Sequence, residues 1–245
     1  NVVAGDPEKA KVLFTAHYDT CAVLPFPNFI TPRNLFVYLL YQLALVVLFL
    51  VLAVVVEVGL LLAFDPPLWV QMPVLYAVLG FCIWWMLAGK ANRHTANDNT
   101  SGVVTLLEIA AALPPEMRHT VCFVWFDNEE KGLFGSSAFT SAHRRVKADT
   151  LTLNFDCVGD GDYLQFFPSK AVKKSPEVMA LLEKAFLSED KKIVEVVRGF
   201  GLYPSDQAVF RRGVGIAALK KAPVIGYYMD RIHPCRDTVL EEENI

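Results

Sequence analysis

The stretch LFTAHYDTCAV at residues 13–23 runs apolar, presents His17 and Asp19 two positions apart, and then turns apolar again. Residues 11–16 are short, apolar and followed by polar positions, which predicts a buried strand. A strand that is apolar on both faces is typical of a parallel sheet covered by helices on both sides. Functional side chains in such sheets collect at the carboxyl ends of the strands, where His17 and Asp19 stand.

The same pattern recurs along the chain and predicts an α/β fold. Short apolar runs predict further strands at residues 119–127, 150–156, 162–167, 191–197, 215–220 and 224–230. Helical patterns separate them at residues 97–113, 133–146, 175–189 and 205–213. We expect Thr100 or Ser101 to cap the first helix, Ser175 to cap the third ahead of Pro176, and Gly213 to end the fourth. Strands alternating with helices indicate a mostly parallel sheet with helices on both faces.

The composition excludes some classes of function. The chain has 245 residues and a net charge of −3, so it has no broad basic face for nucleic acid. Its five cysteines are odd in number, scattered and without a C-x-x-C pair, which favours free thiols in a reducing compartment. No signal-peptide pattern opens the sequence. The sequence begins close to a strand and stops without a closing helix, so we expect both natural ends to be trimmed.

The high apolar content is concentrated in residues 34–89. Residues 35–64 are apolar apart from Gln42 and Glu57, and residues 68–88 form a second apolar run after a DPP turn. Helices of these lengths can cross a bilayer, and soluble helices are rarely apolar on every face. The sequence therefore predicts a transmembrane hairpin inserted into a domain made of residues 1–33 and 90–245. The alternatives are a buried helix pair in a soluble core and a dimerisation arm.

The charges that flank the hairpin predict its orientation. Arg33 precedes the first helix, Lys90 and Arg93 follow the second, and the connecting turn carries only Asp65. Positively charged flanks favour the cytoplasm, so we expect the interrupted domain to be cytoplasmic. Aromatic residues stand at both predicted interfaces, as expected of membrane helices: Tyr38, Tyr41, Trp84 and Trp85 at the near one and Trp69 at the far one.

Polar groups with metal-binding chemistry follow the predicted strands: His17 with Asp19, Asp98, Glu129 with Glu130, Asp156, and His233. A parallel sheet would bring several of them to one edge. Two histidines and several carboxylates suit a hydrolytic zinc site that keeps a position open for water. A carboxylate shared by two metals would let both ions act on one water and one carbonyl.

Six ordered motifs carry a family resemblance: AHYDT, NDNTSG, DNEEKGLFGS, NFDCVG, SDQAVFRRG and IHPCRDT. The chain resembles the family-28 metallopeptidases, which include di-zinc aminopeptidases and relatives of glutamate carboxypeptidase. The resemblance covers essentially all of the sequence outside the hairpin. It implies a three-layer phosphorylase/peptidase-like fold and two zinc ions. The interval from Asp156 to His233 is too short for the lid domain of one related group, so the lidless group is expected.

The resemblance also implies a role for each matching residue. His17, Asp156 and Asp98 would bind the first zinc, and Glu130 and His233, again with Asp98, the second. Asp19 would orient His17, and Glu129 would be the general base that takes a proton from the attacking water. Two positions depart from the family pattern, because Gln207 stands where many members have His and Pro234 follows His233. Gln207 therefore puts the recognition of the substrate end in doubt, and Tyr203 is a candidate donor to the oxyanion.

These observations favour a membrane-anchored zinc aminopeptidase acting on peptides that are hydrophobic or close to the membrane. A carboxypeptidase, or an acyl transfer like that of glutaminyl cyclase, could use the same scaffold. A catalytically inactive membrane receptor or scaffold is the alternative from another class, although such proteins usually lose metal ligands and all five are present here.

Overall fold

The computed structural model describes residues 1–185 and 192–244. Within them the strands are β1 (Val2–Ala4), β2 (Val12–His17), β3 (Val121–Phe126), β4 (Leu151–Phe155), β5 (Tyr163–Pro168), β6 (Ile193–Val196), β7 (Gly213–Ala222) and β8 (Gly226–Tyr228). The α-helices are α1 (Leu35–Phe64), α2 (Leu68–Ala88), α3 (Gly102–Ala112), α4 (Phe134–Ala142), α5 (Arg144–Asp149), α6 (Lys170–Lys173) and α7 (Pro176–Ala185).

Over the described residues the strands form one mixed sheet in the order β1-β3-β2-β4-β7-β5-β6, and β8 pairs with β7. Pairing is parallel from β3 through β2 and β4 to β7, and also between β5 and β6. The edge strand β1 and the pairs β5–β7 and β7–β8 are antiparallel. The predicted mixed, mostly parallel sheet is confirmed, and β2 with His17 at its end lies near the centre.

Alternate side chains of the central strands pack into two hydrophobic clusters on opposite faces of the sheet. Ala16 and Phe123 belong to a cluster that includes residues of α3 and α7. Leu13 and Phe126 belong to a cluster on the opposite face with residues of α4 and α5. Phe126 is fully buried, and burying a side chain of this size contributes about 1.5–3 kcal/mol. The sheet is thus covered on both faces, as its continuous apolar runs predict.

Two predicted helices differ from the structure, and the end of a third cannot be compared. The helix expected at 133–146 is two helices, because His143 leaves helical geometry at φ −116° and ψ 65° while its ring bonds to the Glu8 carboxylate. The helix expected at 205–213 is only a 3-10 turn, Asp206–Val209, because Gly213 already pairs with β4. The predicted end of the third helix, residues 186–189, and Lys191 of a predicted strand lie outside the described residues.

The cap of α3 also differs from the prediction. Neither Thr100 nor Ser101 caps the helix through its side chain. Asn99 does so instead, since its Oδ1 accepts the N–H of Gly102 at 3.1 Å. The reason lies in the turn before the helix, where the Ser101 hydroxyl donates to the carbonyl of Asn97.

Helices α1 and α2 occupy the two apolar runs. The Asn34 side chain caps α1 by accepting the N–H of Val37, and Asp65 ends the helix in a left-handed conformation. Both helices are long and apolar enough to cross a membrane, and only 6% of the most apolar window of each is buried. They are therefore not a buried pair in a soluble core, which removes one alternative left open by the sequence.

Candidate metal centre

The predicted site residues meet at one edge of the sheet. His17 is the last residue of β2, Asp156 follows β4 directly, and Glu129 with Glu130 lie three and four residues beyond β3. Asp98 lies in the turn that leads into α3, and its peptide bond to Asn99 is cis. The carboxyl ends of three neighbouring parallel strands thus deliver donors to the same place, as the sequence pattern predicts.

The donors form two groups that share Asp98. His17 Nε2 lies 3.2 Å from Asp98 Oδ1 and 3.5 Å from Asp156 Oδ1. His233 Nε2 lies 3.4 Å from Asp98 Oδ2 and 3.3 Å from Glu130 Oε2. The two oxygens of one carboxylate therefore face one histidine each, which is the arrangement that a bridging ligand requires.

These separations fit tetrahedral metal coordination. Zinc bonds of about 2.0–2.1 Å to nitrogen and oxygen place neighbouring ligand atoms about 3.3–3.4 Å apart. Asp156 Oδ1 and Glu130 Oε1 are buried without a hydrogen-bond partner among the described residues. A buried carboxylate oxygen without a partner destabilises the folded protein, and a bound divalent cation would offset this destabilisation. The donor set of imidazole and carboxylate groups fits two such ions.

Asp19 organises three of these residues at once. Its Oδ1 accepts the N–H of Glu129 at 3.0 Å and its Oδ2 accepts the N–H of Glu130 at 3.3 Å. The same carboxylate lies 3.4 Å from His17 Nδ1, which is also 3.2 Å from the Asp19 carbonyl oxygen. Asp19 thus lies where the sequence places it beside His17, and it additionally fixes the backbone that carries both glutamates.

The residues on either side of Asp98 tie its loop to the end of β4. Asn99 Nδ2 donates to the carbonyl of Phe155, and Asn99 Oδ1 accepts the N–H of Cys157. Asn97 Oδ1 accepts the N–H groups of Gly159 and Asp160 at 2.7 and 3.1 Å. These bonds hold Asp98 and Asp156 in one rigid unit.

Gly102 closes the motif that begins at Asn97. A Cβ atom there would come 2.3 Å from the carbonyl oxygen of Phe155, so the close approach requires glycine. The motif NDNTSG therefore has one residue facing the site and several that anchor it. The two asparagines that bracket Asp98 in this motif are the sequence signal for the anchoring role.

Asp237, which belongs to the motif IHPCRDT but has no predicted role, supports the same loop from the C-terminal side. It is 1% exposed, and its two oxygens accept the N–H groups of Asn97 at 2.7 Å and Asp98 at 2.9 Å. Burial raises the pKa of Asp237 to about 6, although the two N–H groups oppose the shift. The segment that carries His233 therefore also holds the backbone of Asp98, the shared carboxylate, through Asp237.

Burial and the many neighbouring charged groups shift the pKa values of the site residues. Burial raises the pKa of Glu129 well above its usual range, and the neighbouring carboxylates add to this while His17 opposes it. Burial alone would lower the pKa of His17, but its contacts with the carboxylates of Asp156, Asp19 and Asp98 raise the pKa well above its usual value. The pKa of Asp98 is lowered, because contacts with both histidines outweigh the effect of its burial.

The side chains of Tyr203 and Gln207 both form hydrogen bonds to neighbouring protein groups. The Tyr203 hydroxyl donates its proton to the carbonyl of Asp156 at 2.9 Å, so in this conformation it is not free to donate to an oxyanion. Gln207 Nε2 donates to the Tyr203 carbonyl, and Gln207 Oε1 accepts from Asn154. The Tyr203 ring lines the cavity and its hydroxyl positions Asp156, while the oxyanion role stays a prediction.

A cavity opens over the donors. Its floor holds Asp98, Glu129, Glu130 and Asp156. The described wall residues come from four segments and are Asn28, Ile30, Cys157, Tyr203, Pro204, Ile232 and His233. Asn28 and Ile30 belong to the segment that leads into α1, so the base of the apolar hairpin forms part of the cavity wall.

Comparisons with known proteins identify the family of the chain through one family profile. The chain is similar over 54% of its length to a solved structure titled "3-D structure of PhTET1-12s, dodecamer in the asymmetric unit", with 18% identity and a TM-score of 0.35. It spans 44% of the length of that chain. No curated protein matches. The profile of Peptidase family M28 matches residues 85–242, which include Asp98, Glu129, Glu130, Asp156 and His233. The chain belongs to peptidase family M28.

Proposed function

We propose that this peptidase is a metal-dependent aminopeptidase that uses two zinc ions. The observation that carries the proposal is the Asp98 carboxylate, which presents one oxygen to His17 and the other to His233. We assign His17, Asp98 and Asp156 to one ion, and Asp98, Glu130 and His233 to the other. When bound, the two ions supply Lewis acidity toward the scissile carbonyl and lower the pKa of water.

Glu129 lies in the cavity beside this donor set and has the chemistry of a general base. Its raised pKa suits a group that accepts a proton from the attacking water and returns it to the leaving amine. The bond from the Glu129 N–H to Asp19 fixes the backbone at this position. Asp19 therefore acts as a positioning residue.

Substrates with free and blocked termini separate the possible reactions. We expect the full chain, purified in detergent, to hydrolyse aminoacyl amides and to lose this activity on chelation and in Glu129→Gln. Glu108→Gln is the matched control, because Glu108 is exposed on α3. Cleavage that persists when the amino terminus is blocked would indicate a carboxypeptidase, and cyclisation of N-terminal glutamine would indicate acyl transfer.

An inactive receptor or scaffold is disfavoured, because all the proposed ligands are present and face one another. Zinc binding without hydrolysis of any peptide or amide would reverse this conclusion and refute the proposed enzyme.

We also propose that α1 and α2 cross the membrane as a hairpin inserted between residues 1–33 and 90–245. Their length, composition and exposed apolar side chains support this. Arg33, Lys90 and Arg93 favour a cytoplasmic catalytic domain. In intact cells, an impermeant maleimide should label a cysteine placed at Pro66 in the turn and should spare exposed Cys235. The reverse labelling would contradict the orientation.

The base of the hairpin supports hydrophobic or membrane-proximal peptides as substrates. Helix α1 is nine residues longer than α2 (30 against 21), which is about 14 Å. Its first turns contact the segment that forms the cavity wall, since the Tyr41 hydroxyl donates to the Pro27 carbonyl and the Tyr41 ring packs at a tilt against Phe29. Phe26 contacts Phe49, about 21 Å along the helix from its start. The wall would then lie at the membrane surface.

A paired substrate tests this. The same peptide with and without a C-terminal lipid anchor should be cleaved faster in the anchored form when the enzyme is in vesicles. Equal rates would indicate that the hairpin anchors the protein and does not favour membrane-bound substrates.

A further inference from the structure

Cys21 lies inside the second donor group, although no motif assigns it a role. Its Sγ and one donor atom each of Asp98, Glu130 and His233 all lie within 4.8 Å of one another. The residue is 3% exposed. With zinc–sulfur bonds of about 2.3 Å, a tetrahedral site places sulfur about 3.5 Å from the other ligand atoms, which is within reach of this arrangement.

The thiol is held in place by the strand-like segment that returns from α2. The Asn92 N–H donates to the Cys21 carbonyl at 2.9 Å, and Asn92 Nδ2 contacts Cys21 Sγ at 3.8 Å. The same Nδ2 donates to the carbonyl of His233 at 3.2 Å. One side chain therefore sets the position of the thiol relative to the histidine.

A second observation points to a ligand at this place. Glu130 has a side chain that is nine-tenths buried, with 10% exposed, and its Oε1 has no hydrogen-bond partner among the described residues. Two carboxylates and a thiol thus crowd around a single histidine. A cation with four bonds would compensate all of them.

We propose that the Cys21 thiolate is a fourth protein ligand of the metal held by Asp98, Glu130 and His233. The proposal rests on the metal centre of the proposed function. As the metal–sulfur bond forms, the S–H proton leaves to solvent. Four protein donors fill a tetrahedral sphere, so the ion beside His233 would admit water or substrate only as a fifth ligand. The other ion, with His17, Asp98 and Asp156 as its protein donors, keeps a fourth position open.

The added thiolate also changes metal selectivity. Soft sulfur ligands favour zinc and related ions, whereas sites of oxygen ligands suit manganese and magnesium. The ion beside Cys21 should therefore be the more tightly held of the two and the one less readily replaced by manganese.

Cobalt spectroscopy of the full chain tests the ligand directly. The metal-free protein is loaded with two equivalents of Co²⁺ in detergent, and the near-ultraviolet thiolate-to-cobalt charge-transfer band is recorded. We expect the band in the wild type and in Cys235→Ser, whose thiol is exposed two residues after His233. We expect no band in Cys21→Ser. This variant should also lose one of its two ions to chelator at least about tenfold more readily.

The outcomes distinguish this proposal from the proposed function. Two bound cobalt ions without a thiolate band in the wild type would overturn the role of Cys21 and leave the metal centre intact. A band that persists in Cys21→Ser would overturn it as well. A chain that binds no cobalt would overturn both proposals. A wild-type spectrum without the band refutes the role of Cys21 even if the variant does not fold.

Discussion

Replacing Asp19 by Asn tests whether one carboxylate organises the site. Asp19 accepts the N–H groups of Glu129 and Glu130 and lies 3.4 Å from His17 Nδ1. An asparagine has only one acceptor oxygen, so one of the N–H groups would face an amide donor. Losing one hydrogen bond to a charged group costs about 1.5–3 kcal/mol. We expect Asp19→Asn to lower the free energy of unfolding of the metal-free protein by that amount.

The same change should weaken metal binding. Residues that orient metal ligands typically contribute about 10- to 100-fold in affinity, which corresponds to about 1.4–2.7 kcal/mol.

The contact with His17 and the bonds to Glu129 and Glu130 lower the pKa of Asp19 although burial opposes the shift. A lowered pKa means that the stabilisation is present above the unfolded pKa of about 3.9 and is lost as the pH falls through the folded value. The penalty of the substitution should therefore shrink in acid.

Thermal unfolding in detergent and zinc titration measure the two effects. Asp127→Asn is the matched control, because the Asp127 carboxylate accepts the adjacent N–H of Asn128 at 2.9 Å and lies beside Tyr18, neither of which is a proposed metal ligand. We expect the control to change unfolding by less than about 1 kcal/mol and zinc affinity little. Equal effects of the two substitutions would refute the organising role of Asp19.

Three further results are expected. Asp237→Asn should weaken zinc binding about 10- to 100-fold in a competition assay with a chromophoric chelator, because Asp237 holds the backbone of Asp98; unchanged affinity would contradict this. Zinc binding at pH 7 should release protons, because the pKa values of His17 and Glu130 are raised well above normal in the metal-free protein, for Glu130 chiefly by burial. Calorimetry in buffers of different ionisation enthalpy counts these protons, and a buffer-independent enthalpy would count against the shifts. Chelation should lower the unfolding temperature, which is measured by differential scanning fluorimetry, and an unchanged temperature would argue against ligand-stabilised folding.

The sequence predicts much of the fold for a simple reason. Parallel strands buried on both faces need apolar residues throughout, so runs such as Val121–Phe126 are visible without any structure. The two apolar helices match the observed Leu35–Phe64 and Leu68–Ala88, because nothing polar interrupts them except Gln42, Glu57 and Gln71. The predictions that were wrong concern regions where the observed helices are short. Near His143 and Gly213, contacts with distant residues override the local helical pattern.

The residues of the candidate site also differ in whether local sequence patterns predict them. Donors at strand ends, such as His17 and Asp156, are predictable because the sheet fixes where a strand ends. The supporting roles of Asn99 and Asp237 depend on bonds to backbone groups 56 and 139 residues away, which no local pattern reveals. Cys21 was predicted to be a free thiol, and it is free of disulfides, but only the fold shows that it lies beside His233.

Anomalous diffraction from crystals of the zinc-loaded chain tests the central claim most directly. The account predicts two zinc peaks about 3.5–4 Å apart, one beside His17 and one beside His233, with the Asp98 carboxylate between them. A single peak, or peaks away from these two histidines, would contradict it.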